Sequence, residues 1–241
     1  MAEGTLTIIP TPIGNLKDIT LRALEELKEA DLILAEDTRT SGVLLKHYDI
    51  HTPMESHHKF NEYKQAEGMA QRIAGGLRVA LISDAGTPLV SDPGSYLVKA
   101  CIEQNIKISC LPGPTALIPA LVMSGLSTER FAFEGFLPVK KGRKSMLEAL
   151  ASEPRTLIFY ESPFRVVRTL HDLGEYFGKT RQAATVRELS KIYETVQRGT
   201  LEELAAYYES TPPKGEFVLL VEGTQHMAEI HKKELKKQQT E

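Results

Sequence analysis

The sequence predicts an α/β protein built as two α/β domains. Three observations lead there. Short apolar runs of strand length alternate with segments whose leucines recur at helical spacing. The apolar runs are nearly continuous, as in parallel strands covered on both faces. Gly- and Pro-rich motifs follow the runs at their carboxyl ends, where open α/β sheets bind ligands.

The first half carries the pattern most clearly. Thr5 to Ile9 reads as a strand, ended by Pro10-Thr11-Pro12. Thr20 to Ala30 has Leu21, Leu24 and Leu27 at helix spacing, and Asp31 to Ala35 is a short buried strand. Ser41 to Tyr48 is helical. Tyr63 to Ala74 is a polar surface helix closed by Gly75-Gly76. Leu77 to Ile82 is a buried strand, Ser95 to Gln104 a helix, Ile106 to Cys110 a strand, and Pro114 to Met123 a largely apolar helix.

Ser124-Gly125-Leu126-Ser127-Thr128 is the best boundary, giving domains over 1–124 and 125–225 and a charged tail over 226–241. Beyond it come strand Phe131 to Gly135, helix Lys144 to Ala151, strand Thr156 to Tyr160, helix Phe164 to Phe177 and strand Gln182 to Val186. A further strand is expected over Ile192 to Gln197, then helix Leu201 to Tyr208 and strand Phe217 to Val221. Thr200 and Glu203 have the spacing of a capping box. A cleft between the two domains is a natural ligand site. The tail from His226 is expected to be a frayed helix or disordered.

Composition excludes several classes. At 241 residues and 41% hydrophobic the chain builds ordinary cores, and its net charge of −3 gives no global basic field. The first 125 residues carry a net −4 and the remainder +1, a weak positive bias in the C-terminal half. Cys101 and Cys110, the only two cysteines, lack CxxC spacing, so no zinc site and a reduced cytoplasmic setting are expected. Met1-Ala2-Glu3-Gly4 offers no signal-peptide pattern. The longest apolar stretch, Ala116 to Met123, falls far short of the roughly 20 residues of a membrane span.

The chemistry lies in the loops. Ser83-Asp84-Ala85-Gly86-Thr87-Pro88-Leu89-Val90-Ser91-Asp92-Pro93-Gly94 leaves a buried strand and presents backbone, with Gly86 permitting close approach. It is equally a tight connection in which Asp92 caps a helix. Pro10 to Leu16 is a loop of fixed shape around Gly14. Glu36-Asp37-Thr38-Arg39-Thr40-Ser41 offers carboxylates and hydroxyls for a polar substrate, or an N-capped helix with a surface ion pair. His57-His58 would point to opposite faces of a strand, which disfavours a shared metal; Asn61 reads as a polar contact or cap. Pro112-Gly113-Pro114-Thr115-Ala116 ends a strand and opens a helix. Lys140-Lys141-Gly142-Arg143-Lys144 suits phosphates or is a solvated loop. No GxGxxG follows the first strand and no Walker loop exists, which disfavours dinucleotides and nucleoside triphosphates.

Taken in order, these motifs resemble the ribosomal RNA small subunit methyltransferase I family of the tetrapyrrole methylase superfamily. The resemblance rests on Pro12-Ile13-Gly14-Asn15-Leu16-Lys17-Asp18-Ile19-Thr20, Glu36-Asp37-Thr38-Arg39, Ser83 to Pro88 with Ser91 to Gly94, and Pro112 to Ala116. It continues through Phe133-Glu134-Gly135-Phe136-Leu137-Pro138, Tyr160-Glu161-Ser162-Pro163 and Arg187-Glu188-Leu189, covering about Thr5 to Gly223. Two departures stand on the expected substrate side. His57 to Glu62 replaces a His-Glu-His-Asn-Glu form, and Phe164 stands where His is common.

The resemblance implies two α/β domains with S-adenosylmethionine in the cleft between them, in a homodimer. It implies methylation of a cytidine ribose 2′-hydroxyl in the decoding region of 16S rRNA, within the small ribosomal subunit. For the cofactor it implies Ile13 and Gly14, Ala85, Gly86 and Thr87 with Val90 behind them, Thr115 and Ala116, and Glu161 and Leu189. The chemistry of the transfer adds a base: Asp37 oriented by Arg39, with Glu188 as the alternative. RNA contacts are expected from Asn61, Lys140, Lys141, Arg143, Lys144 and Arg187. Two rival readings stand beside it: a tetrapyrrole-type small-molecule methyltransferase and a non-catalytic RNA-binding assembly protein.

Overall fold

The computed structural model describes residues 3–59 and 62–225, so the expectations for Asn61 and for the tail from His226 lie outside the described residues. The chain divides into two compact units after Thr115.

The first unit holds one parallel five-stranded sheet. Its strands are β1 (Thr5–Ile8), β2 (Leu32–Ala35), β3 (Met54–Ser56), β4 (Arg78–Ile82) and β5 (Lys107–Cys110), in the order β3-β2-β4-β1-β5. Every pairing is parallel. Helices α1 (Leu21–Glu29), α2 (Thr38–His47), α3 (Glu62–Ala74) and α4 (Ser95–Glu103) cover it. Strand periodicity sorts them. Leu6, Leu32, Leu34, Val79 and Leu81 face one way and pack with Ala70 and Ile73 of α3 and Leu97 and Cys101 of α4. Ile33, Ala35, Ala80 and Ile82 face the other way and pack with Ala23 and Leu27 of α1 and Leu44 and Leu45 of α2. Both faces are therefore dry, as the continuous apolar runs require.

The second unit opens with α5 (Leu117–Ser124) and holds a five-stranded sheet, β6-β7-β10-β8-β9. The strands are β6 (Phe131–Phe136), β7 (Thr156–Glu161), β8 (Gln182–Arg187), β9 (Thr195–Thr200) and β10 (Phe217–Val221). Here β6 and β7 are parallel, whereas β10 runs antiparallel to both β7 and β8, and β9 to β8. Helices α6 (Arg143–Leu150), α7 (Val166–Phe177) and α8 (Leu201–Ser210) pack Leu147, Leu170, Leu173 and Leu204 against Leu157, Phe159 and Leu219. The α5 helix packs against β8, β9 and β10, which is why it sorts with this unit and not with the sequence ahead of Ser124.

Two further expectations shift. The strand read at Ile192 to Gln197 begins instead at Thr195. Residues before it are taken up by turns: Glu188 and Ser190 have positive φ, and the Ser190 N–H donates to the Glu194 carboxylate at 2.7 Å. The capping box at Thr200 and Glu203 forms as its spacing requires. Asp92 caps nothing: the N-cap of α4 is Gly94, and its N–H donates to the buried Glu62 carboxylate at 2.6 Å.

Candidate functional site

Four loops leave the carboxyl ends of β1, β2, β4 and β5 and are tied together by hydrogen bonds across long stretches of sequence. Thr11 and Gly86 exchange two backbone bonds of 2.9 Å, forming an isolated antiparallel bridge between the β1 and β4 loops. The Thr11 hydroxyl also donates to the Ser83 carbonyl at 3.0 Å. The Asp37 N–H donates to Asp84 Oδ1 at 3.1 Å, joining the β2 loop to the β4 loop. The Thr87 hydroxyl donates to the Pro114 carbonyl at 3.1 Å, joining the β4 loop to the β5 loop. Gly86 sits at φ +85°, a conformation that suits glycine, and Ile13 packs beside it. Half-buried Ile13, exposed Gly14 and Ala85, and half-buried Thr87, Val90 and Thr115 thus belong to one loop cluster of the first unit. Ala116 falls in the second unit.

This edge is acidic. Burial pushes the Asp92 carboxyl up to about 6, and repulsion from Glu36 and Asp84 adds to it against a hydrogen bond from Ser83. Burial also raises Glu36, helped by Asp84 and Asp37, and raises Asp84. Asp37 goes the other way. The Arg39 side chain hydrogen-bonds its carboxylate from Nε at 3.1 Å and Nη2 at 2.7 Å and holds it at about 2. Asp37 is at the same time the N-cap of α2. Both local readings of that motif are therefore real: it is a capped helix start with a surface ion pair, and it faces the loop cluster through Asp84. The sequence offers Glu36 among the carboxylates for a polar substrate, but not its meeting with Asp84 and Asp92. That meeting brings Glu36 from the β2 loop to Asp84 and Asp92 from the β4 loop, which no local motif reports.

His57 is buried at 1% exposure with its Nε2 unpartnered, and burial pushes its imidazole below the ordinary value. Among the described residues no group of three or more His, Cys, Asp or Glu is placed to hold a metal ion. No helix among them is long and apolar enough to cross a membrane.

In the second unit, several expected site residues are engaged internally. Glu161 ends β7 buried, accepting from the Ser162 N–H at 2.8 Å, the Thr169 hydroxyl at 2.7 Å and Arg165 at 2.7 Å. Arg165 in turn donates to the Leu137 carbonyl at 3.2 Å. Arg143 is buried and is corrected here as a phosphate contact. Its guanidinium donates to Asp172 at 2.7 Å, the Thr169 hydroxyl at 2.9 Å and the Pro138 carbonyl at 3.1 Å. The Tyr-Glu-Ser-Pro motif and the arginine of the basic run thus belong to one network that fixes the Leu137-Pro138 loop. Lys140, Lys141 and Lys144 remain exposed, Lys144 within 3.7 Å of Glu148. Arg187 donates from Nε to the Lys214 carbonyl at 2.6 Å. Burial acts to raise Glu188, but the Glu216 N–H and Lys191 outweigh it and hold the carboxyl below its usual value. Leu189 is buried between the two left-handed residues Glu188 and Ser190.

The fold and loop cluster define a class. Residues 5–205 match the Tetrapyrrole (Corrin/Porphyrin) Methylases. The fold is that of diphthine synthase (TM-score 0.72, 17% identity, 91% of this chain and 90% of that one). It is also that of uroporphyrin-III-C-methyltransferase from Thermus thermophilus (TM-score 0.63, 21% identity, 93% and 97%). Closer relatives are named ribosomal RNA small subunit methyltransferase I. That of Haemophilus influenzae is 50% identical over 223 residues, 91% of this chain and 79% of its own length. That of Synechocystis sp. is 49% identical over 221 residues, again 91% and 79%. The chain belongs to the ribosomal RNA small subunit methyltransferase I family.

Proposed function

We propose that the protein methylates rRNA of the small ribosomal subunit, using S-adenosylmethionine, at the ribose 2′-hydroxyl of a cytidine in the decoding region of 16S rRNA. One observation carries the reading. The four loops expected to meet cofactor and nucleotide are tied into one rigid edge, in a chain 49% identical to a relative named for rRNA methylation. A homodimer working in the cytoplasm accompanies this proposal.

The residues present suit the cofactor. S-adenosylmethionine carries a sulfonium and an ammonium, and the acidic edge of Glu36, Asp84 and Asp92 complements positive charge where it would repel a phosphate-rich dinucleotide. Gly86 lies buried beside Ile13 with its N–H and C=O bonded to Thr11, which fixes the loop, and Ala85, Thr87, Val90, Gly14 and Thr115 complete the holding set from the first unit. Ala116, Leu189 and Glu161 are the proposed second-unit contributions, Glu161 by positioning its loop. Bound there, the cofactor supplies an electrophilic methyl group with a good thioether leaving group.

The chain's own residues orient a ribose hydroxyl and take its proton. Asp37 suits that task because Arg39 keeps it ionised throughout the neutral range. A hydroxyl that is gaining a methyl group becomes strongly acidic, so even a weakly basic carboxylate accepts its proton. Glu188 is the alternative; the Glu216 amide and Lys191 occupy its Oε1. Lys140, Lys141, Lys144 and Arg187 are proposed for RNA phosphates, and Asn61 for a polar substrate contact.

The test is incubation with radiolabelled S-adenosylmethionine and small ribosomal subunits from cells lacking the activity, followed by nuclease mapping. Label on one cytidine 2′-oxygen supports the reading. No label on any RNA form, with cofactor still bound by calorimetry, replaces it with a small-molecule methyltransferase.

A further inference from the structure

Beside the loop cluster, within the first unit, lies a cavity of about 360 Å³ between the β1 loop and α2. That volume is at the small end of ligand sites, which run from about 300 to 1,000 Å³. Pro12 and Leu16 on one element and Val43 and Leu44 on the other give it apolar lining. Its polar lining includes Ser41 and Asp84. Ser41 is 4% exposed and its Oγ has no hydrogen-bond partner. A buried hydroxyl without a partner is costly, and native structures rarely leave one so unless a ligand or water completes it. Asp84 lines the same cavity and accepts the Asp37 N–H, so the cavity adjoins the carboxylate assigned to the ribose proton.

We infer that this cavity receives the nucleobase of the target nucleotide, turned out of its strand, with Ser41 Oγ and the Asp84 carboxylate reading its polar edge. The inference rests on the rRNA reading above and deepens it. Enzymes that do chemistry on a base take it out of its stack into a fitted pocket and read its Watson–Crick edge there; a pocket of the same kind beside Asp37 would fix the ribose of the nucleotide it holds. Apolar walls take the ring faces. A carboxylate accepts from the exocyclic amino group of cytosine, and a hydroxyl donates to a ring acceptor. Uracil presents a carbonyl where cytosine presents that amino group, and the Asp84 carboxylate repels it. Asp84 is therefore the specificity-determining residue and Ser41 its companion. With the base held there, the attached ribose lies on the Asp37 side of the cavity. Cofactor contacts at Ile13, Gly14 and Ala85 to Thr87 are left to their own loops.

Two variants test this, and neither threatens the core. Val43 is 65% exposed, so Val43→Trp obstructs the cavity from a surface position of α2. Asp84→Asn keeps an oxygen for the Asp37 N–H and offers an amide donor to a uracil carbonyl. Each is assayed on small subunits carrying cytidine or uridine at the methylated position, with S-adenosylmethionine affinity measured by calorimetry. Val43→Trp is expected to raise KM for the subunit at least tenfold. Asp84→Asn is expected to cut the preference for cytidine over uridine at least tenfold. Val43→Trp keeps cofactor affinity within twofold. Either variant behaving as wild type overturns the base pocket alone, provided that wild type labels the 2′-oxygen. Wild-type protein that labels no RNA overturns the rRNA reading and the pocket with it.

Discussion

Thr11 and Gly86 face each other across the first unit's carboxyl edge and exchange two 2.9 Å backbone hydrogen bonds. The bridge exists because Gly86 turns to φ +85°, which points its N–H and C=O together at Thr11. A side chain at that position meets Ile13 at only 3.5 Å, ordinary contact, so crowding is not the obstacle. The obstacle is backbone conformation, and a left-handed L-residue costs about 1–2 kcal/mol. Gly86→Ala is expected to lose about that much stability in urea unfolding and to weaken S-adenosylmethionine binding in calorimetry. Unchanged affinity would detach the bridge from the cofactor site.

Asp37 has two duties, and one substitution separates them. As N-cap of α2 its carboxylate accepts the Arg39 N–H at 2.8 Å. Asn serves equally well as an N-cap, so Asp37→Asn leaves α2 intact. It removes the charge that receives the ribose proton. Turnover is expected to fall about a hundredfold, in the range of general-base effects, with cofactor affinity nearly unchanged. Unchanged turnover removes Asp37 from the mechanism.

The acidic edge makes stability depend on pH in a direction opposite to that of ordinary paired carboxylates. Asp92 titrates near 6 in the folded protein, above its ordinary 3.8. Between those values the folded chain holds a proton that the unfolded chain has released. Unfolding therefore releases a proton, and stability falls as pH rises from about 4 to about 6. The penalty is complete above 6. Asp92→Asn is expected to match wild type below pH 4 and to melt at higher temperature above pH 6. Melting curves that differ by a constant amount at every pH would mean that Asp92 is not the group responsible.

Local pattern carried most of the first unit. Leu32 to Ala35 and Val79 to Ile82 are apolar on both faces, and only a parallel sheet with helices above and below buries such strands. The second sheet was less legible, because the direction of β10 between β7 and β8 is set by partners far along the chain. The loops that bear chemistry were visible from Gly, Pro and charge. Their internal ties were not. Glu62 reaches Gly94 from the start of α3, and the meeting of Glu36, Asp84 and Asp92 follows from topology alone. The basic run misled in one residue for the same reason: Arg143 has the same local neighbours as Lys144, and only Asp172 and Thr169 of α7 turn it inward.

That difference within one run gives a paired prediction. Arg143 is buried against Asp172, so Arg143→Ala leaves a carboxylate that is three-quarters covered with only its 3.7 Å contact to Arg168 and leaves the Thr169 hydroxyl one partner short. Breaking a buried pair from one side costs about 3 kcal/mol or more, and urea unfolding should register the loss. Lys140, Lys141 and Lys144 lie exposed, and exposed lysines contribute little to stability. Replacing all three by Gln should leave unfolding unchanged. If they meet single-stranded RNA phosphates, each contributes about 0.7 to the slope of log affinity against log salt, so the triple variant flattens it by about 2. A stable variant with the wild-type slope returns the three lysines to a solvated loop. An Arg143→Ala protein as stable as wild type breaks the network that joins Glu161, Thr169 and Asp172 to the Leu137-Pro138 loop.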